Sequence, residues 1–380
     1  MTFSVLGVTG SFYGLAAGGS ALCYLGILIL WHRKTHFNAE VLLLYGVLGI
    51  PLGLIVSRVF FCAANFAYFV QNLERPGKML CFWDGGYSMA GMLFGLVLAA
   101  LIAAKIKKLS FRAFLDAVTL PLGVLIFGLR LAEGFTDVLG IGRQVDAGAL
   151  AQILPVLFVS EKFGVIELHL LAVFRYEAVF ALLILGAMLL FRRNKNRRDG
   201  DLAMLFFALY GAGQIVFESM RSDGHMVVSF IRIQQVLGLL YILIVLGVFC
   251  RRYGKTRGAR DAVTAAWAML PVIAVVVVMM ITPINHMLDL TDKIPLGIGV
   301  LAAMGVYLAF FLRVRGANPR LILTWLVALL LVAACVMLEF SLDRSTDIFR
   351  DYGMLALCAA ALFLCPWSLY HTLSRREALA

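Results

Sequence analysis

The chain has 380 residues, of which 62% are hydrophobic and 14% are charged, and its mean hydropathy is +0.94. Soluble domains carry about a quarter charged residues, so this composition excludes a soluble globular protein and predicts an integral membrane protein. The net charge of +11 does not indicate nucleic-acid binding, because the basic residues lie in short clusters between apolar segments.

Apolar segments long enough to cross a bilayer, which takes roughly 20 residues, recur along the whole chain. About eleven segments fit this length. They lie near residues 12–31, 41–62, 87–104, 114–132, 170–191, 201–219, 232–250, 262–282, 296–312, 320–341 and 353–372. We therefore predict an all-α polytopic integral membrane protein.

Basic clusters alternate with these spans. They read HRK (32–34), KIKKLSFR (105–112), RRNKNRR (192–198), RRYGKTRGAR (251–260), RVRGANPR (313–320) and RR (375–376). Loops rich in Lys and Arg stay in the cytoplasm, so these clusters predict an outside N-terminus and a cytoplasmic C-terminus. An odd number of spans also places the two termini on opposite sides of the membrane.

The sequence gives no indication of a metal or cofactor site. The seven cysteines lie mostly inside apolar segments, without Cys-x-x-Cys or Cys/His spacing. Motifs such as Gly-x-Ser-x-Gly and His-Glu-x-x-His are absent from the sequence. We expect a protein that works without a cofactor.

With this orientation, polar residues collect at the outer ends of the first six spans. In chain order they are Tyr13, Arg58, Asp84, Arg130, Arg175, Tyr176, Glu177, Glu218 and Arg221. A charge inside hydrocarbon costs at least about 2.5–3.5 kcal/mol, so it persists only when it is paired or functional. For a single arginine, snorkelling or a structural ion pair is the alternative. Because arginine matches phosphate geometry, the set predicts a site for an anionic phospholipid.

Two groups of glycines predict features of the spans: a turn or anion site, and close helix packing. Adjacent Gly85 and Gly86 at the mouth of the third span either present backbone N–H groups to an anion or form a plain turn. Pairs spaced for close helix approach are Gly14/Gly18, Gly49/Gly53 and Gly91/Gly95. The segment from Glu133 to about residue 169 is apolar but too interrupted to span, and we expect it to cover the site.

Seven segments resemble, in order and spacing, motifs of the bacterial prolipoprotein diacylglyceryl transferases. They are FYGLAAG (12–18), LGLIVSRVFF (52–61), WDGGYSMAGMLFG (83–95), GLRLAEGF (128–135), RYEA (175–178), GDLAMLFFALYGAGQIVFESMRSD (200–223) and RIQQ (232–235). The resemblance covers residues 10–250. It implies transfer of a diacylglyceryl group from phosphatidylglycerol to the lipobox cysteine in a prolipoprotein signal peptide, on the outer face of the bacterial cytoplasmic membrane.

The resemblance also implies roles for individual residues. Those implied in catalysis are Tyr13, Arg130, Glu218 and Arg221, with Arg130 as the main phosphate ligand. Glu133 departs from the family motif and is a further catalytic candidate, as a base. Those implied in lipid binding are Arg58, Arg130, Gly85, Gly86, Tyr176, Glu177 and Gln235.

Four positions depart from the family pattern. Met89, Ala90, Gln214 and Glu133 stand where the family has histidine, glycine, arginine and asparagine, in that order. The resemblance ties that histidine and arginine to thiol activation and headgroup handling. Methionine cannot accept a proton, so either the substrate thiol ionises unaided or a glutamate, Glu133 or Glu218, takes the role of base.

These observations predict a seven-span transferase-like domain over residues 1–255 and a four-span extension over 256–380 that gates lipid entry or docks a partner. The alternative function is non-catalytic binding of a lipid or lipoprotein on a retired transferase fold. Transport of a lipid headgroup is less favoured, because transporters place their polar sites near the membrane midplane.

Overall fold

The structure is a computed structural model that describes residues 2–248 with short gaps. The gaps are 6–7, 36, 73–75, 83–84, 137–138, 143, 146–147, 164–165, 194–196, 223–225, 229–230, 235, 239, 242–243 and 246–247. Asp84, Gln235 and the predicted spans eight to eleven therefore lie outside the described residues. The chain divides into two compact units, Met1–Phe206 with Met220–Leu237 and Phe207–Ser219 with Gly238–Ala380.

Eight α-helices are described. They are α1 (Phe12–Thr35), α2 (Ala39–Ala64), α3 (Met89–Ile106), α4 (Phe111–Thr119), α5 (Leu122–Glu133), α6 (Gly148–Ile153), α7 (Val173–Arg192) and α8 (Asp201–Met220). In the part of the chain that the structure describes, α1, α2, α3 and α7 are long and apolar enough to cross a membrane, and α4 with α5 makes a fifth if the bent pair is one span. The protein is thus a multi-pass membrane protein. The total of eleven spans and the orientation remain predictions.

The connections contain short strands, which corrects the all-α prediction to a mostly helical fold. The strands are β1 (Thr2–Val5), β2 (Val8–Ser11), β3 (Gln144–Val145), β4 (Phe158–Phe163), β5 (Ile166–Leu171), β6 (Val227–Val228) and β7 (Ile231–Arg232). All pair antiparallel, and the sheet after α5 has the order β3-β5-β4. In β5 the residues Ile166 to Leu170 alternate between apolar and polar, which is a strand period that the overall apolar content of this loop concealed.

The predicted fourth span is broken. Between α4 and α5 the helix axis bends by 43° at Leu120 and Pro121. Proline has no N–H group and its ring clashes with the preceding turn, so the helix ends here. The Val118 carbonyl near this break accepts a hydrogen bond from Tyr24 of α1 (2.8 Å), whose hydroxyl also lies 3.0 Å from that of Tyr45 in α2. Three helices therefore share the polar groups that the break exposes.

Helices α2 and α3 approach closely through glycine. A β-carbon at Gly91 would lie 2.8 Å from the Val56 carbonyl oxygen, and one at Gly95 would lie 2.8 Å from Gly53 Cα. This confirms the predicted close approach at Gly91, Gly95 and Gly53. At Gly18 no described atom lies within 4 Å of an added β-carbon, so the close approach predicted there remains a prediction.

A buried carboxylate at the start of α8 was not predicted. Asp116 of α4 accepts hydrogen bonds from the backbone N–H groups of Gly200 and Ala203, both at 2.9 Å, and Arg197 lies 3.4 Å away. An acceptor at a helix start satisfies N–H groups that have no partner within the helix. Asp116 therefore caps α8 from a different helix and joins α4 to α8.

Candidate functional site

Four buried charged residues form a closed ring of ion pairs at the end of the first unit where α5 ends and α7 begins. Arg130 contacts Glu133 and Glu177 at 2.6 Å each, and Arg221 contacts Glu177 at 3.0 Å and Glu133 at 3.3 Å. Both carboxylates thus bridge both guanidinium groups. The exposed side-chain fractions are 3% for Arg130, 10% for Glu133 and 2% for Glu177 and Arg221. Two positive and two negative charges give this ion-pair ring a formal charge of zero.

Sequence spacing explains why two of the four members of the ion-pair ring meet. Arg130 and Glu133 lie three residues apart on α5 and therefore share one helix face. Glu177 comes from the start of α7, and Arg221 follows α8 in an extended conformation. Each member needs the others, because removing one partner leaves a buried charge without compensation.

The segment after α5 packs directly on the ion-pair ring. Gly140 has φ +75°, and a β-carbon there would lie 2.6 Å from Oε2 of Glu133 and 2.6 Å from Cβ of Phe174. Gly142 pairs with Arg221 in an isolated β-bridge, and the Ser222 N–H donates to the Ile141 carbonyl at 3.1 Å. This packing agrees with the prediction that the loop after Glu133 covers the polar cluster.

Two tyrosines lie at the edge of the site. Tyr13, in the first turn of α1, is half-buried and interacts electrostatically with Glu133, Arg130 and Tyr87, in addition to Arg221. The Tyr87 hydroxyl donates to the Phe82 carbonyl. Partial burial raises the pKa of Tyr87, and the positive charge of Arg58 opposes that rise. Tyr87 therefore carries a neutral hydroxyl at physiological pH.

Arg58 holds the backbone that leads into α3. Its guanidinium donates to the carbonyls of Lys78 (2.9 Å), Met79 (3.1 Å) and Gly86 (3.0 Å), and also to that of Gly85. Like the ion-pair ring, the residue is buried. In this structure Arg58 acts as an organiser of the turn before α3, and its predicted contact with lipid remains a prediction.

The two adjacent glycines fit tightly beside Arg58. Gly85 and Gly86 have φ +75° and +74°, in the left-handed region that favours glycine. A β-carbon at Gly86 would lie 2.8 Å from Nη1 of Arg58 and would overlap the Phe61 ring. Helix α3 begins three residues later, and the Ser88 hydroxyl accepts from the Gly91 N–H at 3.2 Å. The glycines thus form a turn, and anion binding by their N–H groups is still a prediction.

Three consecutive residues at the start of α7, Arg175 to Glu177, contact two different parts of the protein. Arg175 donates to the carbonyls of Val156 (2.8 Å) and Phe158 (3.2 Å), and the Tyr176 hydroxyl donates to that of Leu157. Both side chains therefore hold the covering loop, whereas Glu177 belongs to the ion-pair ring.

Other predicted positions lie elsewhere. Glu218 and Gln214 are buried and belong to the second unit, and Gln235 is outside the described residues. Met89 is the first residue of α3 and is half-buried. A structural ion pair was one of the alternatives for each arginine, but its partner was not named from the sequence, although the three-residue spacing of Arg130 and Glu133 was a signal for it.

Comparisons with known proteins identify the family of the chain. The sequence model of the prolipoprotein diacylglyceryl transferase family matches residues 1–251. The phosphatidylglycerol–prolipoprotein diacylglyceryl transferase of Listeria monocytogenes serotype 4b (strain CLIP80459) is 26% identical over 243 residues, which are 64% of this chain and 86% of the relative. The enzyme of the same name from Clostridioides difficile (strain 630) is 27% identical over 248 residues, 64% of this chain and 91% of the relative. Because the family model matches well over half of its length, the chain belongs to the prolipoprotein diacylglyceryl transferase family.

Proposed function

We propose that this protein transfers the diacylglyceryl group of phosphatidylglycerol to the lipobox cysteine of a prolipoprotein, at the outer leaflet of a bacterial cytoplasmic membrane. The observation that carries the proposal is the pair Arg130 and Arg221, held together by Glu133 and Glu177 at one end of apolar helices. Family membership supplies the reaction class.

The proposed reaction is a displacement at carbon. The cysteine sulfur attacks the glycerol carbon that carries the phosphate oxygen, a carbon–sulfur bond forms and the carbon–oxygen bond breaks. The bonding electron pair leaves with glycerol phosphate, whose phosphate gains one negative charge, and the thiol proton passes to solvent. Arg130 and Arg221 are the cations that stabilise this charge as it develops.

The residues around the ion-pair ring take supporting roles in the proposal. Tyr13 offers a hydroxyl at the less buried edge, and Arg58 with Gly85 and Gly86 shapes the entrance to α3. Tyr176 fixes the covering loop. Glu218 and Gln235 keep the roles that the family resemblance implies.

The proposal needs no residue as base. Met89 cannot accept a proton. Both oxygens of Glu133 lie against guanidinium groups, which leaves that carboxylate poorly placed to take one. A free thiol has a pKa of about 8.5, so a minor fraction is thiolate at neutral pH. We expect slow transfer whose initial rate rises roughly tenfold per pH unit below pH ~8.5.

The test is transfer in a defined membrane. Purified protein in phosphatidylglycerol vesicles, given a synthetic peptide with a lipobox cysteine, should yield a thioether-linked diacylglyceryl peptide by mass spectrometry. A peptide with serine in place of the cysteine is the negative control, and the Listeria monocytogenes relative is the positive control. Absence of product from folded protein, while the relative is active, would contradict the proposal.

A second candidate function is lipid or lipoprotein binding without transfer. It is favoured by the pairing of Arg130 and Arg221 with carboxylates and by methionine at position 89. Complementation of a transferase-depleted strain separates the two functions. Rescue by the wild-type chain supports catalysis, whereas rescue only by Met89→His with Gln214→Arg supports a retired site.

A further inference from the structure

Glu133 occupies the place between the two arginines that a phosphate would need. Its Oε1 lies 2.6 Å from Arg130 Nη1, and its Oε2 lies 3.3 Å from Arg221 Nη2. A carboxylate that bridges two guanidinium groups presents two oxygens in the way that a phosphate does. We propose that Glu133 is a specificity-determining residue, an internal competitor that an anionic headgroup must displace. This inference rests on the proposed function.

Glu133, and not Glu177, is the carboxylate that an incoming headgroup displaces. The Glu133 side chain is 10% exposed, whereas that of Glu177 is 2% exposed. Glu133 is also the last residue of α5, next to the turn at Gly134, and Tyr13 lies at its side. Glu177 stands inside α7, directly after Arg175 and Tyr176, which anchor the covering loop.

Charge gives the direction of the effect. With Glu133 ionised the ion-pair ring is neutral and offers an anion no net attraction. Glutamine at this position keeps the side-chain shape but gives the ring one net positive charge. That charge favours phosphatidylglycerol, which is an anion, over phosphatidylethanolamine, whose ammonium group cancels its phosphate charge. The wild-type chain should therefore distinguish these lipids only weakly.

The experiment measures binding of the full-length protein in detergent to phosphatidylglycerol and phosphatidylethanolamine with the same acyl chains, by native mass spectrometry. Glu133→Gln should bind phosphatidylglycerol roughly tenfold more tightly than wild type and should change its affinity for phosphatidylethanolamine much less. Glycerol phosphate in solution is a third ligand, which shows whether the headgroup alone accounts for the gain. Glu133→Asn, the residue of the family motif, is a second variant that must behave in the same way.

A matched control separates position from charge. Glu40→Gln makes the same charge change at an exposed carboxylate paired with Lys107. It should leave both affinities unchanged. The inference is overturned if folded Glu133→Gln and Glu133→Asn bind phosphatidylglycerol no more tightly than wild type, or if Glu40→Gln gives an equal gain.

Transfer assays on the same variants separate this inference from the proposed function. Tighter lipid binding without thioether product supports the competitor role and contradicts transfer. Product at the wild-type rate with unchanged lipid affinity contradicts the competitor role and leaves transfer intact.

Discussion

Arg130 and Glu177, which lie on different helices, form a 2.6 Å ion pair that is almost wholly buried. This contact ties the end of α5 to the start of α7 and is one side of the ion-pair ring. Because ions in so apolar a setting persist only when they are paired, the ring is a requirement of the fold and also the candidate binding site. Variants of its members will therefore affect stability together with activity, and paired variants separate the two effects.

Arg130→Gln should destabilise the protein by about 3–5 kcal/mol, because Glu133 and Glu177 lose a shared buried partner. The double variant Arg130→Gln/Glu133→Gln restores a neutral ring and should lose less than the sum of the two single variants. Thermal unfolding in detergent measures this cycle. Lys107→Gln, at an exposed pair, should change little. Strictly additive losses would contradict a coupled ring.

Gly140→Ala should disturb the ion-pair ring from the loop side. Alanine strains a backbone with φ +75° and places a methyl group against Glu133 and Phe174, so we expect a loss of roughly 1–3 kcal/mol and slower transfer. Gly186→Ala, in α7 with no described atom within 4 Å, is the control and should keep wild-type stability. Equal behaviour of the two variants in unfolding would show that the loop does not pack on Glu133.

Gly86→Ala and Gly85→Ala form a natural pair. Both glycines have a positive φ, so both variants bear similar backbone strain of about 1–2 kcal/mol. Only at Gly86 does the added methyl group meet Arg58 and Phe61. We expect Gly86→Ala to be the more destabilised and to become sensitive to limited proteolysis near the turn. If Gly85→Ala were equally affected, the clash with Arg58 would have no role.

Asp116→Asn should weaken the start of α8. Asparagine keeps one acceptor oxygen for Gly200 or Ala203 but loses the second and the negative charge, so we expect a loss of about 1–2 kcal/mol in thermal unfolding. Asp199→Asn changes the same charge at an exposed position two residues before Asp201. It should leave the unfolding midpoint in place, and a matching loss there would contradict the capping role of Asp116.

Much of the helical order followed from the sequence. Length and hydropathy are local properties, so the predicted spans near 41–62 and 87–104 reappear as α2 and α3 with ends shifted by two residues. The effect of proline on the helices was less predictable from the sequence, because Pro51 lies inside the continuous helix α2 whereas Pro121 stands at a break. The break has hydrogen-bond partners from Tyr24, which lies on another helix, and no local pattern reveals them.

The sequence by itself determined that this is a membrane protein, the positions of its early helices, the family and the polar residues available at one end. Only the tertiary structure decided which of those residues meet. Arg221 pairs with residues 44 and 88 positions away, and Arg58 binds backbone carbonyls rather than joining the ion-pair ring. The physical reason is that hydropathy acts on each segment alone, whereas ion pairing in a buried site depends on distances between helices that sequence spacing does not fix.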